Sequence, residues 1–239
     1  MPASAQADPL PAAFHGGLSG LGSRPPLSEI LPAAPGDGAA ALGFALAWAQ
    51  ALSPGRRDGG RDGGLIVWAA PEASFGEEGV PYAPGLAQYG LALERLFLVR
   101  ARSQADALWA AEQTLKIPAA LALVTIWQTR KPLSLTATRR LLLIAEKHRT
   151  ACVLLRFDGG AASAAWARWR VRAAPSKGAN RELGAPAFNI ELLRNRAGPA
   201  GFSTSLVWNA HARTFNKSMD GDLAAAAGDR PAAPRRLSA

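Results

Sequence analysis

The sequence has very few of the residues that build disulfide frameworks and metal sites. It contains one cysteine, Cys152, and three histidines at His15, His148 and His211. A single cysteine excludes an internal disulfide, and histidines this far apart do not have the spacing of a zinc site. Cys152 lies in the apolar run 151–155, which favours a buried strand thiol over a reactive one. No Ser/His/Asp or Cys/His arrangement is visible, so we expect no catalytic residue and no cofactor.

Long apolar runs are also missing. None approaches the roughly 20 residues that a membrane-spanning helix needs. No basic residue precedes Arg24 and no long apolar stretch follows Met1, so no signal peptide is predicted. Apolar residues still make up 49% of the chain. We therefore expect a cytoplasmic protein with one α/β domain, or two small ones.

Charge is distributed unevenly along the chain. Residues 1–126 carry 8 basic and 11 acidic side chains, a net of −3, whereas residues 127–239 carry 19 and 7, a net of +12. Such an excess attracts acidic partners, nucleic acid above all. A general compositional bias toward arginine and alanine explains the same numbers, so charge alone does not decide between the two.

Composition divides the chain into three parts. Residues 1–26 are rich in Pro, Ala, Gly and Ser without periodicity, and we predict a disordered lead-in. Residues 27–215 should form one domain. From residue 216 onward the chain is rich in Ala, Pro and Arg, and we predict a disordered basic tail.

The middle of the chain alternates apolar runs with amphipathic segments. Helices are predicted over 42–52, 83–91, from Ser103, and from about Thr136; strands are predicted over 65–70, 95–101, 119–127 and 151–157, with an exposed loop over 54–64. This alternation is typical of βαβ units and a parallel sheet. The later runs 166–173, 188–194 and 202–208 predict further strands that extend the sheet in antiparallel fashion.

The order of these elements resembles the RecA recombinase core and, within it, the ImuA group of RecA-like, SulA-related accessory proteins. The resemblance covers about Glu29 to Trp208. The stretches that carry it are "EILPAAPGDGAAALGFALAWA", "GLIVWAAPE", "YAPGLAQYGLALERLFLVRARSQADALWAAEQTLK", "LSLTATRRLLLIAE" and "SAAWARWRVRAAPS". It implies a three-layer α/β fold with a mainly parallel central sheet.

The stretch "LPAAPGDGAAALGF" lies where a RecA-like protein has its phosphate-binding loop. Such a loop needs glycines for a backbone nest, a lysine for the phosphates and a Ser/Thr for magnesium. Laid on the RecA-like pattern, Gly36 and Gly38 around Asp37 keep the nest, whereas Ala39 stands at the lysine position and Ala40 at the Ser/Thr position. We expect a degenerate loop that cannot support phosphoryl transfer, although helix-start amides still offer weak nucleotide binding.

Two further positions of the RecA-like pattern bear on catalysis. The strand 119–127 has no carboxylate to hold a metal, and Thr125 is its only polar residue. Glu72 falls where RecA has its water-activating glutamate, but without lysine and magnesium it has nothing to activate. An ATPase with a rearranged site would need a lysine from elsewhere, such as Lys116 or Lys131.

The two DNA-binding loops of RecA correspond to short segments here. The first is "QTRKP", which keeps Arg130 and Lys131, and the second is "DGGAAS", residues 158–163. Both are too short to imitate the family's loops. Arg130 and Lys131 are either simple phosphate contacts or a solvated basic loop.

Three arginines alternate with apolar residues in "WARWRVRA". Period two places Arg168, Arg170 and Arg172 on one face of a half-exposed strand. Like charges side by side repel, so an anionic partner or interleaved carboxylates would reduce the repulsion among these arginines. The predicted nucleic-acid or partner surface adds two tryptophans and two helix arginines to this stripe, namely Trp166, Trp169, Arg139 and Arg140. A solvated sheet face is the alternative.

The resemblance implies a non-catalytic accessory protein of SOS-induced, error-prone translesion DNA synthesis. Its implied partners are an ImuB-type polymerase relative, an error-prone replicative-type polymerase and RecA, at the nucleoid during DNA damage. The basic C-terminal half supports a second hypothesis, a module that binds single-stranded DNA. A weak nucleotide-binding protein is the third.

Overall fold

A computed structural model describes residues 25–53, 64–127, 132–159, 161–176 and 184–218. Nearly all of the predicted lead-in, most of the predicted loop over 54–64 and the tail from residue 219 lie outside these ranges. Arg130 and Lys131 lie outside them too. The predicted division at residues 26 and 215 stays a prediction.

The described residues form one mixed sheet of nine strands. Along the sheet the order is β3-β2-β4-β5-β1-β6-β7-β8-β9. The first six are mutually parallel, and β7 to β9 continue antiparallel. Their bounds are β1 Leu27–Pro32, β2 Leu65–Pro71, β3 Leu96–Ala101, β4 Ala120–Ile126, β5 Ala151–Arg156, β6 Ala167–Ala173, β7 Ala187–Asn195, β8 Ser203–Asn209 and β9 Thr214–Lys217. The predicted fold class, a mainly parallel sheet with an antiparallel extension, is confirmed.

Helices cover both faces of the parallel part. Helix α1 packs on one face, over the centre of the sheet, and the small helices α2 and α3 follow β2. Helices α4 and α5 pack on the opposite face. Their bounds are α1 Gly38–Leu52, α2 Glu72–Glu78, α3 Ala83–Gln88, α4 Gln104–Thr114 and α5 Leu135–His148, with 3-10 turns at Pro35–Asp37 and Leu93–Arg95.

Local signals set most of these bounds. The Ser103 hydroxyl accepts the N–H of Asp106 at 3.2 Å and begins α4 as predicted, and Ser134 accepts the N–H of Ala137 to begin α5. Helix α1 begins at Gly38, four residues before its predicted start. The alanines of its first turn favour a helix but carry no apolar periodicity, so the pattern does not detect them.

An aromatic cluster joins α1 to the antiparallel strands. The rings of Trp48 and Trp169 are 5.0 Å apart, and those of Phe44 and Phe215 are 5.3 Å apart. The ring of Phe188 lies 5.6 Å from that of Phe44. Stacking and edge contacts of this kind add to the burial of large apolar areas. The antiparallel extension is therefore part of the same core as α1, not a separate unit.

Candidate functional site

The turn between β1 and α1 is short and contains no residue with positive φ. A 3-10 turn over Pro35–Asp37 leads directly into α1, and Gly38 has φ −56°. The glycines with positive φ among the described residues are Gly79, Gly90, Gly159 and Gly201, so Gly36 is not one of them. One form of phosphate nest alternates right-handed and left-handed residues, and a turn provides another. Gly36 and Gly38 do not have the alternating form, and the predicted degenerate phosphate loop stays a prediction.

Asp37 uses its carboxylate to hold this turn. Oδ2 accepts the N–H of Ala34 at 3.1 Å, and Oδ1 accepts the N–H of Ala173 on β6 at 3.1 Å. The guanidinium of Arg172 lies 3.9 Å from Oδ2. A carboxylate thus stands beside the start of α1, where a phosphate would meet like charge.

A cavity of about 390 Å³ lies next to this turn, over the carboxyl ends of β2, β4 and β5. In parallel sheets this edge is the usual place for a ligand. Its lining is mainly apolar and aromatic, with α1 on one side and the segment through α2 and α3 on the other. Among these lining residues are Ala39, Trp68, Phe75, Tyr89, Trp127 and Phe157. None of the lining residues in the described part of the chain is a lysine or arginine.

Hydrogen bonds already engage Thr125, on the strand that lacks a metal-binding carboxylate, and Glu72, at the position of the water-activating glutamate. The Thr125 hydroxyl accepts the indole N–H of Trp68 at 3.0 Å. Glu72 forms a two-point ion pair with Arg100, whose Nε donates at 2.9 Å. Arg100 also lies over the ring of Phe75, 5.5 Å from its centroid. Glu72 therefore packs as a structural partner of β3.

A buried ion network lies on the opposite face of the sheet, at the ends of β1 and β5. The fully buried Arg156 donates to Glu29 at 2.8 Å and to both oxygens of Asp158 at 2.8 Å. The second oxygen of Glu29 accepts from Arg168 Nε at 2.7 Å. Arg168 and Arg156 also donate to the carbonyl of Ala161, at 2.7 Å and 3.3 Å. The network ties the segment after β5 to the centre of the sheet.

The charges in this network shift the pKa values of their neighbours. Burial alone lowers the pKa of Arg156, but hydrogen bonds and charge from Asp158 and Glu29 outweigh it, and the net shift is upward. Burial, together with the charges of Arg196 and Arg168, lowers the pKa of Arg194. Burial raises the pKa of the Cys152 thiol, and the charge of Glu29 adds to this, so the thiol is inert as expected.

The arginine stripe faces one side of β6 as predicted, but each arginine has a carboxylate partner. Arg168 is mostly buried on Glu29, Arg170 pairs with Glu191 at 2.7 Å, and Arg172 lies near Asp37. Interleaved carboxylates therefore relieve the repulsion in this stripe. Arg168 belongs to the interior network and is not a surface contact.

No helix covers the outer half of this face among the described residues. There Arg170 and Arg172 join polar side chains of β7, β8 and β9 along an open groove of about 410 Å³. The added residues are Asn189, Glu191, Ser203, Ser205 and Lys217. Sequence reasoning missed Lys217 because β9 has too few residues to show alternation.

The tryptophans near the stripe do not supply an aromatic surface. Trp169 is fully buried on the α1 face, opposite the arginines, so its predicted contact role is wrong. Trp166 packs partly against the core beneath α4 and α5. Of the two helix arginines, Arg139 is exposed and Arg140 pairs with Glu112 of α4.

Glu29 is a buried charged residue that sequence reasoning did not single out. It stands in the middle of the apolar strand "LSEILP", where an unpaired carboxylate would be too costly to bury. That position alone signals a buried cationic partner, although not which arginine supplies it.

Neither a cluster of metal ligands nor a membrane-spanning helix is present among the described residues. No group of three or more His, Cys, Asp or Glu side chains there has the geometry to hold a metal ion. No helix there has both the length and the apolar character to cross a membrane.

Comparisons with known proteins place this chain among proteins of established sequence and fold. No protein-family model matches the sequence. Protein ImuA of Caulobacter vibrioides, from two strains, is 35% identical over 188 residues, covering 71% of this chain and 73% of that protein.

Two solved structures resemble the fold. The RadB recombinase superposes with a TM-score of 0.54 at 18% identity, covering 84% of this chain and 95% of RadB, a likeness of fold alone. SulA from Pseudomonas aeruginosa is 22% identical, but its TM-score of 0.39 is too low to show a common fold.

Proposed function

Because the chain belongs to the ImuA family and has a RecA-like fold, we propose that it serves error-prone translesion DNA synthesis as a non-catalytic accessory protein. It acts through contacts with an ImuB-type polymerase relative, an error-prone replicative-type polymerase and RecA. It works in the cytoplasm and joins the nucleoid when DNA is damaged.

The character of the cavity beside the β1–α1 turn is the observation that supports a non-catalytic role. Phosphoryl transfer depends on cations that neutralise the phosphates and on a bound magnesium. Here the first turn of α1 presents Ala39 and Ala40, and the nearest charged group on the turn is the carboxylate of Asp37. The cavity next to it is apolar. This arrangement supports a role in binding partner proteins and not a role in phosphoryl transfer.

An affinity pull-down of the tagged chain from DNA-damaged cells tests the proposal. We expect the ImuB-type protein or RecA to co-purify, with more recovered after damage than before. Recovery of neither, with the tagged chain soluble and folded, would refute the accessory role.

The open groove on β6 to β9 favours a second function, binding of single-stranded DNA. Arg170, Arg172 and Lys217 line it together with serine hydroxyls and an asparagine amide, which suit a phosphate backbone. Glu191 is its one acidic lining residue in the described part. No exposed tryptophan lies in the lining, so binding would depend on backbone charge and not on base stacking.

Replacing Arg170, Arg172 and Lys217 by Gln tests this second function and leaves the buried Arg168 intact. We expect weaker binding of a labelled oligonucleotide and a salt dependence shallower by about 0.7 per lost phosphate contact. A matched control removes the same charge from other elements, through Arg102, Lys116 and Lys147. Equal weakening in both triple variants means that net charge, not the groove, drives binding.

A further inference from the structure

We propose that the apolar cavity beside the β1–α1 turn binds a large apolar side chain, aromatic or aliphatic, from a partner polypeptide whose flanking residues are basic. This deepens the accessory role proposed above, because it gives the chemistry of one partner segment. Three features of the described residues support it.

The first feature is the composition of the cavity. Its volume of about 390 Å³ accommodates a large side chain together with part of its backbone. Its walls include Leu42 and Leu46 of α1, and Trp68 and Phe75 from the opposite side. The indole N–H of Trp68 already donates a hydrogen bond to the Thr125 hydroxyl, so a ligand need not supply an acceptor for it. Such side chains suit an apolar group and offer no cation to a buried phosphate.

The second feature is the surface around the opening. Val80 and Tyr82 line the cavity, yet 63% and 74% of their surfaces face solvent. Both lie in the segment between α2 and α3, beside the exposed Pro-containing stretch that starts α3. Large apolar side chains left exposed next to a pocket are typical of a protein interface. A polypeptide would cover them while one of its side chains enters the cavity, whereas a small ligand would leave them in water.

The third feature is charge. Residues 68–91, which form the wall through α2 and α3, contain three glutamates and no basic residue. Within this wall Glu72 is paired with Arg100, while Glu77 is exposed. Asp37 on the α1 side lies 3.9 Å from Arg172, so the exposed Glu77 is the main acidic group that this feature depends on. A partner with lysine or arginine beside its apolar anchor is therefore complementary, and an acidic partner or a nucleotide is not.

Selection from a displayed library of random peptides, with the purified chain as bait, tests the inference. We expect the enriched peptides to share one aromatic or large aliphatic residue with basic neighbours. In fluorescence anisotropy, replacing that anchor by alanine should weaken binding about 30-fold, as for an interface hot spot. Replacing the basic neighbours by glutamate should also weaken it.

Three variants of the chain locate the site. Ala39→Trp places a bulky ring at the edge of the cavity and should abolish peptide binding, while Glu77→Lys should weaken it and flatten its salt dependence. Leu143→Ser is the matched control, because Leu143 is also exposed but lies on α5, on the opposite face. Circular dichroism melts confirm that each variant is folded.

Four results would overturn the inference. They are no enriched peptide, enriched peptides without an apolar anchor, peptides that bind the Ala39→Trp and Glu77→Lys variants undiminished, and N-acetyltryptophanamide binding as tightly as the whole peptide. The last would mean a small-molecule pocket. Because this assay uses purified components, it can fail while the cellular pull-down succeeds, and the reverse, so the two proposals are tested separately.

Discussion

At the scale of residues, Glu29 brings two guanidinium groups together in the described part of the chain. It is fully buried, and its two oxygens separately bind Arg156 and Arg168. Asp158 balances the second positive charge, so two carboxylates face two guanidinium groups in the interior. A buried pair of this kind adds little net stability, but removing one partner leaves an uncompensated charge.

Glu29→Gln should therefore lower the free energy of unfolding by about 3 kcal/mol or more, since Arg156 keeps its charge with one carboxylate fewer. Urea denaturation measures this. The control is Glu191→Gln, which removes the partner of the half-exposed Arg170 and should cost less than about 1 kcal/mol. Similar losses of unfolding free energy in the two variants would show that the buried network is no more sensitive to the loss of a carboxylate than the exposed pair.

At the scale of elements, the join between α3 and the hairpin of β8 and β9 depends on a close backbone approach. Gly90 follows the C-cap residue of α3, with φ +91°. A Cβ at this position would lie 2.5 Å from the carbonyl oxygen of Ala210, in the turn between β8 and β9. The carbonyl of Tyr89 next to it accepts the indole N–H of Trp208 at 3.0 Å. Two elements far apart in sequence thus meet through one glycine and one carbonyl.

Gly90→Ala should destabilise the protein more than Gly79→Ala does. Gly79 also has positive φ, +84°, but no atom lies within 4 Å of its would-be Cβ. The Gly79 variant should therefore lose only the energy of backbone strain, about 1–3 kcal/mol of unfolding free energy. The Gly90 variant has the same strain and must also move the Ala210 backbone. Thermal melts of both variants give the comparison, and an equal shift would mean that the close approach relaxes freely.

At the scale of the whole molecule, a RecA-like sheet carries an apolar cavity beside the β1–α1 turn. A nucleotide present at a hundred times its Kd would stabilise the fold by about 2.7 kcal/mol. We expect Mg-ATP to leave the melting temperature unchanged, because no lysine or arginine among the described residues lines the cavity beside the turn.

The variant Ala39→Lys/Ala40→Ser sharpens this prediction. It restores the two side chains that the RecA-like pattern lacks, yet it should still neither bind nor hydrolyse ATP, since the turn conformation and Asp37 are unchanged. Isothermal titration and a phosphate-release assay measure the two quantities. Magnesium-dependent turnover by the unaltered chain would contradict the non-catalytic role, whereas turnover by the variant alone would show that the turn does not prevent nucleotide binding.

The sequence by itself determined most of the strands and helices, the parallel core and its antiparallel extension, but not α2 or β9. These depend on periodicity and on local caps such as Ser103, which act over a few residues. It also determined that Ala39 and Ala40 bring no phosphate-binding side chain to the turn.

Only the tertiary structure decided which arginines are buried and what the turn can hold. The alternating pattern of the strand places Arg168 and Arg170 on the same face and does not distinguish them. In the structure Arg168 pairs with the buried Glu29 of the neighbouring β1 and is mostly buried, whereas Arg170 remains exposed. The cavity likewise forms from α1, α2, α3 and three strands. Contacts between residues more than a hundred positions apart arise from the register of paired strands, and a local pattern carries no record of that register.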